Sequence, residues 1–344
     1  MDWHTQWTNV TVGRASGPVH TLHWSIMVRS VAAVAFHHGG GLAAVRWRNR
    51  QGLRILMYHR FSDRAALARQ CAHIRRHYQP VSMATVAEWL QAGRTLPPYA
   101  MATTIDDGYG DFQEAGYPVF AEYGIPVTVF LVTDFLDGKS WLWFDRVVYA
   151  FQNAKVSDAA IEVPGGNALH FKLDSAASRR AAGQQLADLA VALNPGDRRE
   201  LVGELPRLLK ADMPEQAPPE CRPLSWDAVR LLAASGVEFG AHTKTHPILS
   251  SLTDPEELRE EIAGSKARIE SELDRPVLHF CYPNGKMRDI GPAAAETVRA
   301  AGMQTAVTAE PGLNQVHQDA FLLRRIGADP SHQEMYFARR LAGL

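Results

Sequence analysis

Apolar positions recur along this chain in two rhythms. Short runs rich in β-branched and aromatic residues alternate with longer stretches whose apolar residues fall three and four apart. Residues 53–58 form the first short run and predict a strand that ends at His59-Arg60. Over residues 64–78, Leu67, Cys71, Ile74 and Tyr78 keep helical spacing. Residues 83–90 repeat that spacing with Val86 and Leu90, and Ser82 stands where a helix cap belongs. The run into Thr103-Thr104-Ile105 predicts a second strand, residues 112–123 a helix and residues 126–132 a buried strand. Strand, helix and strand in alternation predict a parallel sheet or barrel.

From about residue 137 to residue 222 the alternation lapses, and no strand of comparable strength is visible. Residues 184–193 and 198–209 read as helices and residues 214–223 as a linker, so 137–222 reads as a mostly helical insertion. It opens on Trp141-Leu142-Trp143-Phe144-Asp145-Arg146. Such aromatics either stack on sugar rings or anchor the inserted helices in a core. The alternation resumes with a helix at 226–234 and a short strand at 237–241. Asp254-Pro255-Glu256-Glu257 then has the marks of a helix start: a capping Asp, proline at the first position and Glu three after the cap. Leu258, Ile262, Ile269 and Leu273 form its apolar stripe. Residues 277–282, 304–308 and 321–326 read as strands, and 293–301 as a helix. The first 51 residues read as a helical or irregular extension, with a glycine-rich turn at His37-His38-Gly39-Gly40-Gly41. Residues 52–344 hold the main domain.

Composition narrows the picture by exclusion. With 36 Lys and Arg against 37 Asp and Glu, the net charge is −1. No electrostatic case follows for a nucleic-acid partner or for anionic membranes. Arg46, Arg48, Arg50 and Arg54 read as a solvated basic face. The most apolar piece, residues 26–45, is interrupted by Arg29, Ser30, His37, His38 and three glycines, which argues against an integral membrane segment. A peripheral contact through Ile26, Met27 and Val28 stays open. Asp2, His4 and a polar run stand where a secretory signal would need basic and apolar residues. Cys71, Cys221 and Cys281 are odd in number and far apart, so neither a disulfide framework nor a Cys-based zinc site follows. The expectation is a cytoplasmic protein.

Two stretches carry candidate chemistry. Asp106 and Asp107 follow an apolar run and precede Gly108. Adjacent carboxylates repel unless a cation holds them; a divalent metal neutralises one and leaves the other to act as a base. Asp-Asp-Gly is also ordinary turn chemistry, and the stretch alone does not decide. The second stretch is His242-Thr243-Lys244-Thr245-His246-Pro247, after the short strand at 237–241. Two imidazoles four residues apart can meet one ion, and imidazole with carboxylate suits zinc and its neighbours. One Asp with two His would leave a position open for water.

Thr-x-Asp-Asp-Gly, His-Thr-x-x-His and then Phe280-Cys281-Tyr282-Pro283-Asn284-Gly285 resemble, in order, the first three motifs of the polysaccharide deacetylase (NodB-homology) family, carbohydrate esterase family four. The resemblance covers about residues 53–330. It implies a distorted (β/α) barrel with a helical insertion, acting on an N-acetylated amino-sugar polysaccharide or oligosaccharide. It further implies that Asp107, His242 and His246 hold a divalent metal, zinc by preference, and that Asp106 is the general base. The Asn284 backbone N–H falls where the family donates to the oxyanion. Cys281 stands where the third motif often carries an arginine that pairs with the base. Leu323-Arg324-Arg325-Ile326 replaces the family's Leu-x-His, so Arg325 is the candidate partner of Asp106, and His59 the candidate general acid. Period-two alternation predicts that Arg324 points the opposite way. Two other readings stand beside deacetylation: a carbohydrate-binding relative without turnover, and a metal-dependent amidase on a non-sugar amide.

Overall fold

The structure, a computed structural model, describes residues 40–92 and 95–344. Most of the expected extension, including His37-His38-Gly39 and the apolar Ile26-Met27-Val28, lies outside the described residues; Gly41–Arg48 is a helix. Among the described residues no helix is long and apolar enough to cross a membrane.

Ten strands occur among the described residues: β1 (Arg54–Tyr58), β2 (Gln79–Pro80), β3 (Ala100–Ile105), β4 (Val127–Leu131), β5 (Asp158–Ile161), β6 (Leu169–Lys172), β7 (Glu238–Ala241), β8 (His279–Cys281), β9 (Thr305–Pro311) and β10 (Leu323–Gly327). Eight share one sheet in the order β1-β10-β9-β8-β7-β4-β3-β2, and an additional β1–β3 pairing closes seven of them into a ring. The pairing is parallel for β1 with β10 and β3, and for β8 with β7 and β9. This is the (β/α) barrel that the resemblance implies, one of the two arrangements, sheet or barrel, that the alternation allows. β1, β3 and β4 are buried at every residue, which is why they read as continuous apolar runs.

The described residues divide into two compact units: one within 40–105, 111–128 and 309–344, the other 106–110 with 129–308. In the first, Arg64–His77 is capped by Asp63, which accepts from the Ala66 N–H at 2.9 Å, and it buries Leu67, Cys71 and Ile74. Ser82 accepts from the Thr85 N–H at 3.1 Å, before the helix Met83–Ala92. A further helix, Glu334–Ala342, closes the chain. Arg54 departs from expectation: it is fully buried in β1, not part of a solvated face. Its guanidinium donates to the carbonyls of Leu341 at 2.6 Å, Gly52 at 2.7 Å and Asn49 at 3.1 Å. Leu341 lies in the last turn of the closing helix, where carbonyls lack intrahelical partners, so a buried cation satisfies them.

In the second unit the inserted stretch has helices Trp143–Gln152, Ala176–Ala190 and Pro195–Leu209. They enclose a separate core with Val147, Phe151, Leu186 and Leu205. The stretch also carries a strand pair that the sequence reading lacks: β5 and β6 pair antiparallel, Asp158 opposite Lys172 and Ile161 opposite Leu169. Each buries a single residue, Ile161 and Phe171, too little for a periodic signal. The helix from Pro255 is capped by Asp254 as expected and buries Leu258, Ile262 and Ile269, whereas Leu273 is only half-buried. Its middle, Glu260–Gly264, is a π-helical turn. Such a turn shifts the helix face locally, and Glu261 is buried here.

Candidate active site

The chain turns sharply where Asp106 and Asp107 leave β3. Asp107 has φ 72° and Gly108 φ 80°. Aspartate tolerates this left-handed region and glycine adopts it without steric cost. A Cβ on Gly108 would lie 2.8 Å from Leu131 Cδ2, so a side chain there would have to displace that methyl. Both carboxylates are buried. The turn is fixed by its neighbours: the Gly108 carbonyl accepts from the Leu224 N–H at 2.8 Å, and the Gly110 N–H donates to the Arg222 carbonyl at 2.9 Å. The tail of the expected linker is therefore paired to the Asp-Asp-Gly segment. The Tyr109 hydroxyl adds a 2.7 Å hydrogen bond to Asp145.

His242 follows β7, and its N–H donates to the Leu131 carbonyl at 2.9 Å. Its Nε2 and that of His246 each lie 3.5 Å from Asp107 Oδ1. The two rings are nearly perpendicular, with centroids 4.8 Å apart. His242 Nδ1 is 2.7 Å from the Cys281 carbonyl. A carbonyl only accepts, so Nδ1 carries a proton in this contact and Nε2 is the nitrogen left to ligate. Burial, then the neighbouring His242, pushes the His246 imidazole down to about 3, so it is neutral. For His242 burial also acts downward, but Cys281 and the carboxylates of Asp107 and Asp106 outweigh it and hold the imidazole well above its usual range. The negative groups here favour a positive charge.

The donor set fits a divalent cation. Asp107 Oδ1 and the ring nitrogens of His242 and His246 lie within 4.8 Å of one another. A tetrahedron with bonds of about 2.0–2.1 Å has edges of roughly 3.3–3.5 Å, close to the two 3.5 Å separations. Two imidazoles and a carboxylate suit zinc and leave a coordination position for water.

The loop between the histidines is tied down at each residue. Thr243 and His246 have φ of 68° and 59°. The Thr243 hydroxyl accepts from the His246 N–H at 3.1 Å. The Thr243 carbonyl accepts from the Thr133 N–H at 3.2 Å and that of Lys244 from the Asp134 N–H at 2.9 Å. Glu261 accepts from the backbone N–H groups of Lys244 and Thr245 and from the Thr245 hydroxyl.

The second unit thus brings Asp106, Asp107, His242 and His246 together. Asn284 lies three residues beyond β8, half-buried, with φ 58°, and its side-chain amide donates to Asp289. His59 and Arg325 belong to the first unit. His59 is half-buried just past β1. Arg325 is buried in β10 and donates to the Thr104 hydroxyl at 3.1 Å, whereas Arg324 is exposed, as the alternation predicts.

Three features of the site were not read from the sequence. Cys281 Sγ lies 4.0 Å from His242 Nε2. Glu261 gave no signal, being one acid in an acidic helical run. Phe144, from the aromatic cluster, sets its ring edgewise against His246, centroids 5.3 Å apart. Trp141 and Trp143 of that cluster serve packing: Trp141 is buried, and Trp143 packs on the core of the insertion.

The fold and the site define a class, and the comparisons agree with it. The chain belongs to the polysaccharide deacetylase family, whose model matches residues 93–306. YxkH of Bacillus subtilis strain 168 is 22% identical over 289 residues, 81% of this chain and 72% of its own length. The poly-beta-1,6-N-acetyl-D-glucosamine N-deacetylase of Escherichia coli K12 is 32% identical over 87 residues, 25% of this chain and 13% of that enzyme. Among solved structures, the Streptococcus pyogenes deacetylase PplD in complex with acetate has a TM-score of 0.53 at 15% identity, with 81% of this chain and 93% of that chain covered. That likeness is one of fold.

Proposed function

We propose that the protein is a metal-dependent N-deacetylase of an amino-sugar polysaccharide or oligosaccharide. The convergence of Asp107 Oδ1 with the ring nitrogens of His242 and His246 carries this reading. Family membership supports the deacetylase class. The matching E. coli enzyme, by its name, acts on poly-beta-1,6-N-acetyl-D-glucosamine, which supports a polymer of N-acetylated amino sugar as substrate.

Asp107, His242 and His246 would hold the ion. A divalent cation there supplies Lewis acidity towards the acetyl carbonyl and acidifies an attacking water. Asp106, beside a neighbour committed to the cation, takes the proton of that water. The backbone N–H of Asn284 donates to the oxygen on which negative charge develops. As the amide C–N bond breaks, Asp106 returns its proton to the departing sugar amine, and acetate remains. Backbone pairing at Gly108 and Gly110 keeps Asp106 in place while its charge changes.

The test is acetate release from N-acetylated chitooligosaccharides and from poly-β-1,6-N-acetylglucosamine, with and without a chelator. Release that the chelator abolishes and Zn2+ restores is expected. Saturable sugar binding without acetate would instead mark a carbohydrate-binding relative. Equal turnover of simple non-sugar amides would mark an amidase.

A further inference from the structure

We propose that Asp106, His242 and Cys281 form a second metal position, exclusive of the first, which takes a soft divalent ion such as Cd2+ and so inhibits the enzyme. The inhibition rests on the metal-dependent reading above; the binding rests on the donor geometry alone. All three residues are buried, and their ligand atoms lie within 4.8 Å of one another. Among the described residues no such set joins the Cys281 sulfur with Asp107 or His246. The two triads are therefore separate positions with only His242 in common.

One imidazole cannot serve both. His242 Nδ1 is held by the Cys281 carbonyl at 2.7 Å, which leaves Nε2 as its donor nitrogen. That nitrogen lies 3.5 Å from Asp107 Oδ1 and 4.0 Å from Cys281 Sγ. It has a single lone pair, so an ion in either triad excludes an ion from the other. Size and softness then decide which ion goes where. Around tetrahedral zinc, with bonds of about 2.0 Å to nitrogen and 2.3 Å to sulfur, the two donors sit roughly 3.5 Å apart. The 4.0 Å separation suits a larger ion, and a thiolate selects a soft one. Binding costs the Cys281 thiol its proton, which leaves to solvent as the sulfur–metal bond forms. An ion held there makes a ligand of Asp106, so the general base is lost together with the first site.

Cadmium titration of the full-length protein, stripped of metal by a chelator, tests this. A sulfur-to-cadmium charge-transfer band in the ultraviolet reports the bond. The wild type should show the band and Cys281→Ser should lose it, whereas a protein carrying both Cys71→Ser and Cys221→Ser should keep it. Added Zn2+ should weaken the band by competition, the two ions never being bound together. Cd2+ should also suppress acetate release by the Zn2+-loaded enzyme. In Cys281→Ser the Cd2+ concentration that does so should rise by at least the roughly 10–100-fold that losing the support of a metal ligand costs. Absence of the band in the wild type, or its survival in Cys281→Ser, would overturn the second position. Zn2+ and Cd2+ bound together with the band intact would overturn the exclusion. Should Cys281→Ser fail to fold, the Cys71→Ser, Cys221→Ser protein decides, because Cys281 is then its only thiol. Acetate release restored by Zn2+ alone tests the deacetylase reading in the same preparation, so either can fail without the other.

Discussion

Glu261 and Thr245 are joined twice: the Thr245 hydroxyl donates to Oε1 at 2.6 Å, and its backbone N–H donates to Oε2 at 3.0 Å. Oε2 also takes the Lys244 N–H at 2.8 Å. One buried carboxylate thus gathers three donors from the segment that separates the two histidines. Burial pushes its pKa up, and these donors pull the other way. Glu261→Ala leaves two backbone N–H groups of the loop without an acceptor. Metal affinity should drop by about 10–100-fold, as when the support of a metal ligand is removed. Glu261→Gln, which keeps one acceptor oxygen, should fall between. Chelator competition measures this, and an unchanged affinity in Glu261→Ala would show that the loop is held by other means.

The two adjacent carboxylates should separate by function. Asp106→Asn is expected to keep the metal and lose about 10²–10⁴ in turnover, the usual contribution of a general base. Asp107→Asn should weaken metal binding itself. Metal content after dialysis and acetate release, measured on both variants, give the answer. Equal metal loss in the two would contradict the assignment.

The metal-free protein should have an acid-sensitive site with a definite sign. His246 has a folded pKa of about 3 against an ordinary 6.5. The unfolded chain therefore takes the proton first, and stability is lost as pH falls from 6.5 towards 3. His242, shifted upward, is protonated in both states below 6.5 and adds no slope there. Urea unfolding across this window should show a shallower acid loss for His246→Gln than for the wild type. Parallel curves would count against a neutral buried His246.

Gly108→Ala tests the turn. The substitution places a Cβ 2.8 Å from Leu131 Cδ2 at φ 80°. Loss of about 1–3 kcal/mol is expected from the backbone conformation alone. Denaturant unfolding measures it, and a wild-type midpoint would mean that the turn relaxes at no cost.

Elements with a periodic signal were legible in the sequence. Leu67, Cys71 and Ile74 are buried as their spacing predicts, Ser82 and Asp254 cap helices, and Arg324 and Arg325 take opposite faces. What stayed hidden depends on contacts between distant residues or on departures from a regular period. Arg54 is buried because carbonyls of Asn49, Gly52 and Leu341 surround its guanidinium, and no local pattern announces that. Glu261 is buried within a π turn, which a search at 3.6 residues per turn passes over. β5 and β6 bury too few residues to read as strands. In the site, the pairing of Asp107 with the two histidines was legible from motif order. The Cys281 sulfur was not, because its place beside His242 follows from the parallel pairing of β7 with β8.

Asp107, Thr243, His246 and Asn284 all adopt left-handed backbone conformations, and Thr243 does so with a branched Cβ. Each such residue opposes folding by of order 1–3 kcal/mol. Favourable interactions elsewhere in the fold offset that cost, so the site lowers the net stability. Selection for heat resistance alone should therefore favour glycine at Asn284, which is half-buried, so that relieving its backbone opens no core. Selection for turnover should reject the same change, because a relaxed backbone no longer holds the Asn284 N–H in one place. Tolerance to heat and catalytic competence are set against each other at this position.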